Sequence, residues 1–318
     1  MKGGGPQGST FGLWEYLSQS NDNADFIEEE DRFKFVDDLS FLEIIFLLSS
    51  GLASYNVHTH IPSDIPNHNQ IIQKENLKSQ KHLENINEWT KERKMKLNEK
   101  KTKSMIFNFS RKNQFTTKLN INDTDIEVVK ETKLLGTVIT DRLTWDRNTE
   151  EIVKKGFKRM RLLITAAAFT SSVNDLKNIY LTFIRSILEQ SAVVWHSSLT
   201  KTNRKDIERV QKAAVKVILG KSYTTYMNGL KYLNLYTLDR RRENLCINFA
   251  KKCIKTDNVK KWFPFENSNH KMKTRNKQKF KINKQNTERY KKSAIPYMRK
   301  LLNHEYQEKR KMIEGIDV

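Results

Sequence analysis

Cysteine is scarce in this chain, and so are long apolar runs. Only two cysteines, Cys246 and Cys253, occur among 318 residues. Two thiols at that separation form neither a disulfide framework nor a zinc-ligand pattern. On a helix they lie two turns apart on one face, as small buried hydrophobes. Thiols so few and unpaired fit an intracellular protein, in nucleus or cytoplasm. No signal-peptide pattern opens the sequence. The most apolar stretch, residues 39–50, is broken by Glu43. It is shorter than the roughly 20 residues a membrane helix needs, so it reads as a buried strand and no membrane partner is expected. Internal repeats are lacking. Apolar residues make up 37% and charged residues 30%, and mean hydropathy is -0.71. That balance argues against one dense globule throughout and for a compact region with a solvated, basic one.

The charge that is present is uneven. The formal net charge is +21. Residues 1–50 hold three basic and ten acidic side chains, a net of -7, whereas residues 251–310 hold nineteen basic and five acidic ones, a net of +14. A basic end of this strength favours a polyanionic partner, nucleic acid first, with residues 251–300 leading and Trp262 adding a minor stacking contact. The plainer alternative is a solvated tail without a dedicated partner.

Residues 3–12 read GGGPQGSTFG, a glycine-rich run that requires a tight backbone turn. Residues 20–31 read as an acidic surface loop. In FKFVDDLSFLEII, residues 33–45, two apolar runs flank Asp37 and Asp38, which predicts a hairpin with the pair at or beside its turn. Residues 51–74 read as an irregular insertion and 75–97 as a helix carrying Leu83, Ile86 and Trp89. A strand is expected over 103–109. More follow over 117–139, with Asn122–Asp123 as one turn and KLLG, residues 133–136, closing another hairpin. From Trp145 the pattern turns helical. Stripes run through Leu176, Ile179, Phe183, Ile187 and Leu188, and through Ile207, Val210, Ala214, Val217 and Ile218, the second ending at a capping Gly220. A third helix is expected over 236–254. Beyond residue 255 lysine and asparagine dominate.

Adjacent carboxylates on a rigid hairpin repel one another unless cations or donors satisfy them. Such a pair suits magnesium, which takes hard oxygen ligands. Two such ions about 3.5–4 Å apart activate a 3′-hydroxyl and stabilise a pyrophosphate leaving group. An Asp-Asp pair is equally at home in a surface turn.

FVDD at 35–38 resembles the aromatic-x-Asp-Asp motif of reverse transcriptases. GGGPQGSTFG is similar to their GxPQG element, LNEKKT at 97–102 to their LNxxKT element, and KLLG to the LG hairpin called the primer grip. LTW at 143–145, IYLTFIRSILEQSAVVW at 179–195 and IERVQKAAVKVILG at 207–220 are similar to the helices that follow the palm in LINE-type, non-LTR retrotransposon enzymes. The motifs stand in the family's order. The resemblance implies an α+β fold. A partial palm, a small antiparallel sheet with a helix, would cover residues 1–142. A mainly helical thumb-like region would cover 143–254, and a basic, partly disordered segment 255–318.

The same resemblance implies roles. Asp37 and Asp38 would be catalytic metal ligands for Mg²⁺, with Mn²⁺ as the alternative. Lys101 would lie near the leaving pyrophosphate, although five other lysines at 91–103 make it equally a solvated charge. Gln7, Gly8, Phe35 and Val36 would meet template and nucleotide, and Leu135 and Gly136 the primer. A primer–template of RNA or DNA is the implied partner, with no stable protein partner. The family carries fingers and a further metal-binding aspartate ahead of GxPQG, whereas Met1 and Lys2 directly precede Gly3. The expectation is therefore a polymerase fragment that binds metal weakly and extends no primer by itself. Two other classes compete with it: a non-catalytic nucleic-acid-binding protein, and a helical structural module.

Overall fold

The structure, a computed structural model, describes residues 32–35, 38–41, 68–94, 97–107, 109, 118–169, 172–266 and 279–314. The chain divides into two compact units, Met1–Lys130 and Glu131–Val318. It is a mixed α/β architecture with small, mostly antiparallel sheets and a larger helical part.

In the first unit, β1 (Arg32–Phe35) and β2 (Asp38–Phe41) form the expected antiparallel hairpin, with Phe35 opposite Asp38. Helix α1 spans His68–Glu92 and so begins inside the stretch read as irregular. No glycine or proline interrupts the sequence from His68 onward to stop it. The helix ends where Lys94 turns left-handed at φ 56°. The strand expected over 103–109 is only β3 (Lys103–Ser104), and it pairs in parallel with β6 (Glu127–Val128). Between them β4 (Asn120–Ile121) and β5 (Thr124–Asp125) make a tight hairpin. Its turn residues Asn122 and Asp123 have φ 46° and 64°, the left-handed pair that asparagine and aspartate tolerate. Leu83 of α1 packs with Leu119, Ile121 and Ile126 in a small core.

The second unit opens with β7 (Glu131–Leu134) and β8 (Thr137–Thr140), joined through Leu135 and Gly136 at φ 46° and 84°. The strands thus form separate two-stranded ladders, not the single sheet expected. At two to four residues each, they offer too little surface to share one face.

Helix α2 (Asp146–Phe169) leads into a continuous helical run of α3 (Val173–Ile179), a π-helical stretch over Tyr180–Arg185 and α4 (Ser186–Glu189). Here the buried stripe is Leu176, Tyr180, Ile184 and Leu188, while Phe183 is exposed. The π stretch accounts for the difference. A step of four overshoots the α turn of about 3.6 residues and falls short of the wider π turn, so alternating the two keeps that row inward.

Helix α5 (Ala192–Trp195) follows, then α6 (Lys201–Leu219), α7 (Tyr226–Tyr232) and α8 (Leu238–Lys255). Thr200, Thr225 and Thr237 cap the last three by accepting backbone N–H bonds. Gly220 closes α6 at φ 50°. The main core joins α2, the α3–α4 run, α6 and α7.

A second core lies under residues expected to be a solvated tail. After α9 (Asp257–Lys260) and α10 (Glu288–Lys292) comes α11 (Ala294–Glu314), whose Met298 and Leu302 pack with Cys246, Ala250 and Cys253 of α8 and with Phe263 and Phe280. Both cysteines are buried and free. Among the described residues no helix is long and apolar enough to cross a membrane.

Candidate nucleic-acid interface

The residues singled out by the resemblance are described only in part. Gln7, Gly8, Val36 and Asp37 lie outside the described residues. Phe35 and Asp38 face each other across the hairpin register. Lys101 is an exposed turn residue whose N–H donates to Asn98 O at 3.0 Å and Asn98 Oδ1 at 3.1 Å. Leu135 and Gly136 belong to the other unit. There Gln190 Nε2 donates to Leu135 O at 3.2 Å, and a Cβ on Gly136 would run into the Gln190 amide. The φ of 84° favours glycine at 136, whereas the exposed Gln190 side chain can swing aside.

The expected Mg²⁺ (or Mn²⁺) centre is corrected by the donor set. Among the described residues no three His, Cys, Asp or Glu side chains converge to hold a metal ion. Several carboxylates of the first unit are engaged singly elsewhere: Glu127 by Lys103, Glu84 by Gln80, and Glu99 by Asn122. Magnesium needs oxygens brought to one point in near-octahedral order, and lone, scattered carboxylates do not supply that.

What the fold does assemble is a cationic face on the second unit. Helices α2 and α6 lie side by side and run in the same direction. Near their starts Asn203 Nδ2 donates to Asp146 Oδ1 at 2.9 Å. Further along, a Cβ on Gly156 would stand 3.0 Å from Val210 Cγ1, and Arg209 lies over the Phe157 ring at 5.7 Å. The glycine lets the two helices approach closely.

Burying Ile207, Val210, Ala214 and Ile218 of α6 turns Lys205, Arg209, Lys212 and Lys216 outward. Those four cations recur at i, i+4, i+7 and i+11, a row about 16 Å long at ~1.5 Å per residue. On α2, Lys154 and Arg161 are exposed one turn to either side of Phe157, with Lys158 next to it. Among the described residues, none makes an ion pair with Lys205, Lys212 or Lys216. Arg209 has a loose one to Asp206 at 3.8 Å. At the edge of this face Lys155 stands beside Lys133 of β7. Partial burial, and then the like charge of Lys133, hold the Lys155 ammonium below its usual value.

No protein-family model, curated protein or solved structure matches this chain. The chemistry of the face is therefore read from its own residues. The signal that marks it in the sequence is an absence: no aspartate or glutamate occurs between Glu151 and Asp175, or between Glu208 and Asp239. Charge summed over long windows hides this and draws attention to the C-terminal end. There, however, Lys251 pairs with Glu305 and Lys260 with Asp257, each at 2.7 Å, and Lys291 pairs with Glu288 at 2.5 Å. Trp262 is partly exposed, and its carbonyl accepts from Arg299 Nε at 2.8 Å.

Proposed function

We propose that this chain is a non-catalytic nucleic-acid-binding protein, related through its motif order to the reverse transcriptases of LINE-type elements. The observation that supports it most directly is the double row of exposed cations on α2 and α6, in which Lys205, Lys212 and Lys216 make no ion pair among the described residues and Arg209 only a loose one to Asp206. A rigid row of lysines and arginines neutralises successive phosphates and releases their counterions, which makes affinity fall steeply with salt. Such contacts read the backbone and carry no base sequence. A second reading, template-directed nucleotidyl transfer, draws support from the β1–β2 hairpin, in which Asp38 opens β2 opposite Phe35.

One panel tests both. Binding of the chain to a labelled oligonucleotide, followed by anisotropy across a salt series, is expected to show a steep log–log slope. Lys205→Glu with Lys212→Glu should lower affinity about tenfold or more and flatten that slope by roughly 2. Unchanged affinity and slope in the double variant, with its fold intact by circular dichroism, would remove the proposal. In primer extension with dNTPs and a divalent cation no incorporation is expected. Template-dependent incorporation that is lost in Asp38→Ala would favour the second reading.

A further inference from the structure

The cation row of α6 ends at a group of exposed aromatic side chains that the main core does not use. Helix α7 is docked tightly on α6. A Cβ on Gly229 would meet Val215 Cγ1 at 2.6 Å and Leu219 Cδ1 at 3.1 Å, and Leu230 is buried beside it. With that face inward, the helix turns Met227, Lys231 and Tyr232 outward, Met227 at 65% and Tyr232 at 73% exposure. Tyr236 follows at 67%.

These positions are held by a buried network. Gln211 Nε2 donates to the Tyr226 hydroxyl at 2.8 Å and to the Tyr236 carbonyl at 3.0 Å, and Tyr180 donates to Gln211 Oε1 at 2.5 Å. Glu208, which takes the Tyr226 proton donor, also accepts from Leu238 N at 3.0 Å. The loop carrying Tyr236 is thus fixed while its ring stays in solvent. Beside Tyr232 lies a shallow depression of about 200 Å³, bordered by Leu219, Ser222, Thr224 and Asn228. Lys216, the last cation of the row, covers the Tyr223 ring at 5.5 Å, and Lys221 is exposed nearby.

Single exposed tyrosines are ordinary on a protein surface. Here they stand on a fixed scaffold, near exposed lysines, at the end of a row of exposed cations and with no carboxylate between Lys216 and Tyr236. We infer that Tyr232 and Tyr236 form a base-stacking platform, so that the ligand of this face is a single-stranded nucleic acid whose backbone follows α6 and whose bases rest on the tyrosines. Bases paired in a duplex keep their faces stacked on one another, whereas unpaired bases offer theirs to aromatic rings irrespective of sequence. A second copy of this chain suits the site poorly, because it would bring another +21 of net charge.

The inference rests on the proposed function and is tested so that the two can fail separately. The full chain is titrated by anisotropy against labelled DNA and RNA strands of about 20 nucleotides and against the matching duplexes. Tyr232→Ala with Tyr236→Ala should weaken single-strand binding about five- to hundredfold per base stacked and leave duplex binding and the salt slope unchanged. Tyr232→Phe with Tyr236→Phe should restore single-strand binding, since stacking needs the ring and not the hydroxyl. Equal losses on strand and duplex, or no loss while Lys205→Glu with Lys212→Glu still abolishes binding, would overturn the platform and leave the proposed function standing. If the lysine variants also change nothing, both fall. Tyrosine-dependent cosedimentation with anionic vesicles, without such dependence on oligonucleotides, would overturn it in favour of a lipid surface.

Discussion

Among single residues, His196 is held from several sides. It is fully buried at the meeting of three helices. Arg242 Nε of α8 donates to its Nδ1 at 3.2 Å, so that nitrogen carries no proton. Arg204 Nη2 of α6 donates to its carbonyl at 3.0 Å. The Tyr297 hydroxyl of α11 lies 3.5 Å from Nε2 and donates to Glu243 Oε1 at 3.3 Å. Burial first, then the Arg242 and Arg204 charges, lower the imidazole to about 3, with Asp239 opposing them. The unfolded chain takes up a proton near pH 6.5 and the folded chain resists it, so folding is favoured most above that pH. Stability is expected to fall as pH drops from about 6.5 towards 3, with a contribution approaching 1.4 kcal/mol per pH unit. Melting temperatures across that range check it. His196→Asn should flatten the profile, and an unaltered slope would show that His196 is not the group responsible.

At the level of elements, close helix contact is set by small residues. Gly229 sits within α7, where alanine would ordinarily gain up to about 1 kcal/mol in helix propensity. The added methyl would lie 2.6 Å from Val215 Cγ1, and overpacking of that kind costs about 1–3 kcal/mol. The steric cost is the larger of the two over most of that range, so Gly229→Ala should destabilise the protein by about 1 kcal/mol, and by no more than about 3, in urea unfolding. A stabilised variant would mean that α7 shifts freely on α6. The same variant should weaken single-strand binding more than duplex binding, because it displaces Tyr232. Of the expected stripe, Leu176 and Leu188 are buried and Ile179 and Ile187 pack half-buried on the core, whereas Phe183 is exposed and the π stretch brings Tyr180 and Ile184 inward.

For the whole molecule, Glu131–Val318 holds two hydrophobic cores of its own. A fragment of those residues is expected to unfold in one cooperative transition and to keep salt-dependent binding. Cys246 and Cys253 report on its second core. Burial, with Glu243 next, pushes the Cys246 thiol up to about 12, and burial raises Cys253 as well. Reactivity follows thiolate character and access, so neither should label with a thiol reagent at neutral pH until the fragment unfolds. Immediate labelling of both would show that α11 does not pack on α8 in the fragment.

The sequence alone determined the features that depend on near neighbours. Asn122–Asp123 and Gly136 stand at turns as residues that tolerate the left-handed region, Gly220 ends α6, and the spacing of Ile207, Val210, Ala214 and Ile218 names the buried side of that helix. Tertiary structure decided what depends on residues far apart in the chain. It set α2 beside α6 through Gly156 and Val210, and so merged two short cationic segments into one face. It folded α11 back over Cys246 and Cys253, in a stretch whose lysines and asparagines look solvated when read in order. Among the described residues it also brought no three metal-binding side chains together. Local propensity acts over a few residues, whereas side-chain convergence depends on long-range packing, which charge and periodicity along the chain do not encode.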